Sequence, residues 1–268
     1  MLKGAIHVHS TYSDGEFTLG ELREVYMAAG LDFVCMTDHA EFFDQSKIDD
    51  YVNECRSLSD YRFSFIAGLE FSCRERMHVL GFGVTSLIDA PIHQLDPRAV
   101  IRHIKGAGGV SVIAHPMESA FDWIETFDEL PDGIETWNSK YDGRVAPRPG
   151  TFLLLDRLKR RSPAMRAFYG QDMHWKNQHR GLINLFECQS ATRKEVLGAM
   201  TGGRYVAARG DLKLPSSGAL SEELLARFGR ENESYARRRR IVKSAKRLVD
   251  HIGVAVPASL KSQLRRIF

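Results

Sequence analysis

From Gly4 the chain alternates, with Ile6 and Val8 on one side and His7 and His9 on the other, which predicts a period-two strand at the start of the sequence. A helix is expected next. Thr18 and Glu21 have capping-box spacing, and Leu22, Val25, Tyr26 and Ala29 form an apolar stripe that closes at Gly30. Residues 33–37 are continuously apolar up to Thr37, as in a parallel strand covered on both faces, and end in Asp38-His39. The unit recurs along the chain. Residues 63–68 lead into Glu70, residues 77–83 contain His78, and Asp96-Pro97 opens a helix that residues 106–109 stop before a strand at 110–114 and His115. Residues 133–137 carry Glu135, residues 166–171 lead to Asp172 and His174, and residues 204–208 complete or brace the sheet. Strands alternating with helices predict an α/β fold with a parallel sheet.

Length changes this picture little: 268 residues suit one large single-core domain, with α/β barrels often reaching this size undivided. No apolar run approaches the roughly 20 residues that span a bilayer, and the N-terminus lacks the features of a secretory signal, so cytoplasmic residence is the expectation. The four cysteines, Cys35, Cys55, Cys73 and Cys188, are too scattered for a disulfide framework and read as reduced thiols.

Charge divides the chain. Residues 235–268 hold ten Lys and Arg against one acid, Asp250, which leaves 27 bases and 33 acids in the preceding residues although the whole chain carries only +3. Residues 211–219 read as a linker, Ser221 as a helix start with Leu220 and Leu225 as a hydrophobic staple, and Ile241, Val242, Ala245, Leu248, Val249 and Ile252 recur at helical spacing among the bases. The expected organisation is a domain over residues 1–210 followed by a linker and a basic amphipathic helical extension over 211–268. That helix either packs its apolar stripe on the domain or docks on an anionic partner, a membrane surface or a nucleic acid.

Side chains two apart on a strand lie about 6.6 Å apart on one face, so His7 and His9 can converge on one ion, although two hydrogen-bonded sheet histidines would look the same. The wider pattern favours the metal. Asp14, His39, Glu70, His78, His115, Asp172 and His174 all fall near predicted strand ends, where parallel barrels gather functional groups. Neutral imidazoles and carboxylates without nearby thiolates suit Zn, Mn or Fe(II) in a catalytic setting.

The stretches His7-Val8-His9-Ser10-Thr11-Tyr12-Ser13-Asp14-Gly15, Thr37-Asp38-His39, Gly68-Leu69-Glu70, Ala114-His115-Pro116 and Gly170-Gln171-Asp172-Met173-His174 together resemble the PHP (polymerase and histidinol phosphatase) family, over roughly residues 1–208. The resemblance implies a distorted (β/α)7 barrel and two or three divalent ions, Mn, Fe or Zn. It would place His7, His9, Glu70 and Asp172 around one ion, Glu70, His78 and His115 around a second, and Asp14, His39 and His174 around a third, with Glu70, Asp172 and His174 as the catalytic set. The Ser-Asp-Gly stretch is closest to the stand-alone phosphoesterase branch, whereas histidinol phosphatases generally carry a histidine there. Relatives commonly insert a cap between the positions of His78 and His115, and only 36 residues separate them here, which leaves an open mouth.

The reaction these features imply is hydrolysis of a phosphate ester, monoester or diester, by a metal-bridging hydroxide. Nucleotides, oligonucleotide ends, sugar phosphates and phosphoproteins are all candidate substrates. Loop bases Arg74, Arg76, Lys140, Arg144 and Arg180, with His179, are candidate substrate contacts, and Trp137 and Trp175 flank the expected mouth. Asp38 and Glu135 are placed to orient metal-bound histidines. Two other classes stay open: a non-catalytic metal-binding regulatory module and a metal-dependent amide or lactone hydrolase.

Overall fold

Local sequence chemistry sets most element boundaries in the computed structural model, which describes residues 1–252 apart from 90, 92, 143–145, 177 and 179–180. The described strands are β1 (Leu2–Val8), β2 (Phe33–Met36), β3 (Asp38–His39), β4 (Ser64–Ile66), β5 (Leu69–Ser72), β6 (His78–Phe82), β7 (Val110–Ala114), β8 (Gly133–Asn138), β9 (Arg166–Gly170), β10 (Ile183–Phe186), β11 (Tyr205–Arg209) and β12 (Leu212–Pro215). The helices are α1 (Leu19–Ala28), α2 (Gln45–Ser57), α3 (Pro97–Gly106), α4 (Phe121–Glu125), α5 (Pro149–Lys159), α6 (Arg193–Thr201) and α7 (Glu222–Ile252). Thr18 caps α1 in a complete capping box with Glu21. Asp96 caps α3, with Pro97 in its first turn. Both starts satisfy backbone N–H groups that a helix otherwise leaves bare.

The strands form two mixed sheets, ordered β12-β11-β10-β1-β2-β4 and β3-β5-β6-β7-β8-β9, rather than the single closed barrel that the family resemblance implies. Two local causes separate them. Thr37 interrupts the run from β2 to β3, and residues 67–68 interrupt that from β4 to β5, so each run passes from one sheet to the other. Alternation also fails: β5, β6 and β7 pair antiparallel, and so do β1, β10, β11 and β12. β5 joins β6, and β11 joins β12, by short connections that need no crossover helix, so the seven regular βα units are not reproduced. Where β1 leaves its sheet, the residues after β9 meet it: Gln171 N–H donates to the Ile6 carbonyl at 2.9 Å, and His9 N–H to that of Met173 at 3.0 Å.

The core fills the space between strands and helices. Residues 4–8, β2, β5 and β7 are buried at every position, and Phe33, Phe63, Phe71, Phe82, Phe168 and Phe186 are among its largest side chains. Cys35, Cys55 and Cys73 are buried free thiols, and Cys188 is partly buried. Leu212–Pro215, read from sequence as linker, instead pairs with β11 as β12. Leu220 and Leu225 both pack on the core as α7 begins, and Phe228 is fully buried. Further along α7 the apolar stripe is not covered at Ile241, which is 62% exposed; the side chains of its other members, Val242 to Ile252, lie outside the described residues. Among the described residues no helix is long and apolar enough to cross a membrane.

Candidate metal centre

Glu70 sits inside β5, buried, with imidazoles converging on it from four other segments. His7 Nε2 is 3.2 Å and His9 Nε2 3.1 Å from its Oε2; His78 Nδ1 is 2.8 Å and His115 Nε2 3.4 Å from its Oε1; His39 Nδ1 is 3.7 Å away. Antiparallel pairing explains His78. Because β6 runs against β5 and β7, its first residue lies beside Ser72 and Ala114, at the edge where β7 ends in His115. Asp172 closes the group, with Oδ1 3.7 Å from His7 Nε2 and 3.8 Å from His9 Nε2.

His7 and His9 do not reach the centre by simple alternation. The β1–β2 register shifts between Ile6 and Val8, His7 has φ of 61°, and β1 ends before His9. His115 and Asp172 also have positive φ, 28° and 50°. Non-glycine residues in this region cost about 1–3 kcal/mol each and persist where surrounding structure holds them, commonly at functional sites.

A second cluster adjoins the first. Asp14 Oδ2 lies 3.3 Å from His174 Nε2, and its Oδ1 is 3.7 Å from His9 Nδ1 and 3.8 Å from His39 Nε2. The loop carrying Asp14 is ordered by Asp38, whose carboxylate accepts from Ser10 N–H and from the Ser10 and Ser13 hydroxyls at 2.7, 2.9 and 2.6 Å. Asp38 thus orients the Asp14 loop and, among the described residues, makes no hydrogen bond to a histidine. Gly15 lets that loop close: a Cβ there would stand 2.5 Å from the His9 carbonyl oxygen.

Glu135 does orient a histidine. Its Oε1 meets His7 Nδ1 at 2.7 Å, and its Oε2 accepts from His115 N–H at 2.8 Å. Asn138, absent from the sequence reading, donates from Nδ2 to both Glu135 at 2.9 Å and Asp172 at 3.0 Å. Gln178 was equally missed; it accepts from His174 N–H at 2.6 Å and donates to the Asp172 carbonyl. The available signal was a polar residue three after Glu135 and another four after His174, neither of which carries ligand chemistry of its own.

Electrostatics divide the imidazoles. Burial pushes His9 down to about 3, so it is neutral. Burial also opposes charge on His7, yet Glu135, Asp172 and Glu70 hold its pKa well above the usual value. For His174 burial is again outweighed, here by Asp14 and Asp172, and the pKa rises to about 9. Burial would raise Glu70 and Asp172, but the imidazoles, His7 foremost, hold both well below the ordinary carboxylate range.

These groups fit divalent cations. Among the described residues, both ring nitrogens of His9 and Nδ1 of His39 are buried without a hydrogen-bond partner, a costly arrangement unless the lone pairs are used. Four overlapping sets bring ligand atoms within 4.8 Å of one another: His9, Asp14, His39 and His174; His7, His9 and Asp172; His7, Glu70 and His115; His39, Glu70 and His78. All nine residues anticipated as ligands therefore belong to at least one set. Without thiolates the donor set matches the borderline and hard cations Zn, Mn and Fe(II).

The anticipated substrate contacts divide. Lys140 Nζ reaches the centre, 3.3 Å from Asp172 Oδ1 and 3.2 Å from His174 Nε2. Arg74 is tied to Asp96 at 2.7 Å, and Arg76 is exposed on the turn before β6. Arg144, His179 and Arg180 lie outside the described residues. Trp137 is buried, whereas Trp175 is 49% exposed beside His174, and Tyr141, 58% exposed, places its ring 4.5 Å from that of His115.

Residues 5–94 match the PHP domain family. Over 41 residues the chain is 39% identical to the DNA polymerase/3'-5' exonuclease PolX of Bacillus subtilis (strain 168), a stretch covering 15% of this chain and only 7% of that protein. A two-domain protein from Bacteroides vulgatus ATCC 8482 containing a predicted PHP-like metal-dependent phosphoesterase superposes with TM-score 0.57 at 18% identity, covering 86% of this chain and 69% of that one. The lesion-specific endonuclease PfuEndoQ from Pyrococcus furiosus gives TM-score 0.55 at 17% identity, over 75% of this chain and 56% of that one. At such identities the two structures speak for the fold. The family match covers residues 5–94, and the two structures extend a similar fold over most of the chain.

Proposed function

We propose that the chain hydrolyses phosphate esters at a centre of two or three divalent cations, Mn, Fe or Zn. The observation that carries this reading is Glu70, a buried carboxylate ringed by five imidazoles, two of which leave ring nitrogens unpartnered. His7, His9, Glu70 and Asp172 would hold one ion, Glu70, His78 and His115 another, and Asp14, His39 and His174 a third. Bound cations would acidify water and neutralise phosphate oxygens.

The chain's own groups prepare the rest. Glu135 fixes the His7 ring through Nδ1, leaving Nε2 free to face Glu70. Asn138 holds Asp172 in place. Lys140 supplies a mobile positive charge at the mouth, where it can meet non-bridging phosphate oxygens once released from Asp172 and His174. That ammonium favours phosphoryl substrates over the neutral carbonyl of an amide or lactone. A complete ligand set argues against a non-catalytic module. The 3'-5' exonuclease among the similar proteins supports including oligonucleotide ends among the substrates, beside nucleotides and sugar phosphates.

A phosphate-release screen across nucleotides, oligonucleotide ends, sugar phosphates and phosphopeptides, using Mn-, Fe- and Zn-loaded protein, tests the reading. Hydrolysis of at least one class is expected, lost with chelator and in both His9→Ala and Asp172→Ala. Equal activity in both variants would remove the assignment.

A further inference from the structure

Helix α7 is anchored in its first part. Phe228 is buried, and Asn232 Nδ2 donates to the Pro147 carbonyl at 2.8 Å. Just beyond Tyr235 the described side chains are exposed: Ala236, Arg237, Arg238, Arg240 and Ile241. This departure lies beside the metal centre. A cleft of about 640 Å³ is lined by Tyr141, Arg148, Asn232, Tyr235 and Arg240, with the acids Glu118, Asp142 and Glu233 also on its walls. Tyr141 links the two places, because the same ring packs on His115. A further hollow of about 530 Å³ along α7 is lined by Arg230, Arg237 and Arg240, with Glu233 as its one acid. Arg148 is neutralised by Asp142, but no ion pair is found for Arg237 or Arg240 among the described residues.

Resting on the phosphoesterase reading, we propose that the arginine face of α7 is a docking surface for single-stranded nucleic acid, whose end reaches the metal centre past Tyr141. Three features select this occupant. The bases are clustered, with ten Lys and Arg against one acid over residues 235–268, as charge complementarity to a polyanion requires. The cleft runs from Arg240 to Tyr141, so a phosphate held by Arg240 can belong to the same molecule as the ester being cleaved. Two exposed aromatic rings, Tyr141 and Trp175, stand at the mouth on either side of Lys140, whose Nζ is 5.3 and 5.5 Å from their centroids. Unpaired bases stack on such rings while a basic groove tracks the backbone. A bilayer on α7 would neutralise the same arginines but would give no role to the cleft or to Tyr141.

Binding of a fluorescein-labelled single strand of about 12 nucleotides, followed by anisotropy with the full chain in chelator, tests this without relying on catalysis. Replacing Arg237, Arg238 and Arg240 together by Glu is expected to weaken binding at least about tenfold. It should also reduce the salt dependence by about two, near 0.7 for each lost phosphate contact. The corresponding triple Lys variant should retain binding, and thermal unfolding of both variants checks that the fold persists. Equal binding by the Glu variant, equal loss in the Lys variant, or wild-type binding to phosphatidylserine vesicles but not to the strand would overturn the proposal. Hydrolysis of p-nitrophenyl phosphate by the Mn-loaded protein separates the two readings. Hydrolysis without strand binding removes the docking surface alone. Strand binding with no ester hydrolysed overturns the phosphoesterase reading, and with it the delivery of a strand end to the site.

Discussion

Glu135 and Asn138 carry no cation in the proposed arrangement, yet the orientation of His7 and Asp172 depends on them. Glu135→Gln keeps the shape of the side chain but removes the charge facing His7 Nδ1 and turns one acceptor oxygen into a donor. Partners of this kind are typically worth about 10–100-fold in metal affinity, and a loss of that size is expected by competitive metal titration. Asn138→Ala should act in the same direction, because it leaves Glu135 and Asp172 without their shared donor. Unchanged affinity in both variants would mean that the histidines hold their positions unaided.

His174 gives a pH signature of opposite sign in the two states of the protein. Its imidazolium is favoured in the metal-free fold, with a pKa of about 9 against an ordinary 6.5. The stabilisation is therefore complete below pH 6.5 and is lost as pH rises through about 9. Cations need the neutral ring, so metal affinity should climb across the same interval. Thermal unfolding in chelator at the two ends, beside metal titrations at the same pH values, checks both slopes. Metal-free stability rising over this window would contradict the assignment.

At the scale of elements, the strand bearing His7 depends on the end of β9. A Cβ on Gly170 would collide with the Glu135 carboxylate and approach the His7 Cβ to 2.9 Å. Gly170→Ala is expected to destabilise the protein by about 1–3 kcal/mol, as overpacking does, and to weaken metal binding together with stability. Denaturant unfolding and a metal titration on one preparation test this coupling. Much of the arrangement was legible in sequence because caps, strand runs and His, Asp and Glu positions are local signals: Thr18 and Asp96 cap helices as expected, and the nine His, Asp and Glu side chains come together. Sheet organisation was less legible. The bulge at His7, the antiparallel insertion of β6 and the pairing of β10 with β1 depend on long-range partners, which period-two patterns do not encode. Asn138 and Gln178 escaped for a related reason, since their roles exist only once β8 and the segment after β9 converge.

For the whole molecule, the proposed cations would couple stability to metal loading. The centre joins β1, β5, β6, the ends of β3 and β7, and the segment after β9, drawing on both sheets, so cations bound there would tie the sheets together. A ligand that binds the folded chain alone stabilises it by about 2.7 kcal/mol at a hundredfold excess over its dissociation constant. Chelation should therefore lower the melting temperature of metal-loaded protein.

Metal content per folded chain, measured by elemental mass spectrometry after Mn loading and desalting, tests the central claim most directly when wild type is compared with Glu70→Ala. Wild type should retain about two or three ions, and Glu70→Ala should lose at least the two that share its carboxylate. A wild-type chain holding no metal, or a Glu70→Ala chain holding as much as wild type, would contradict the account.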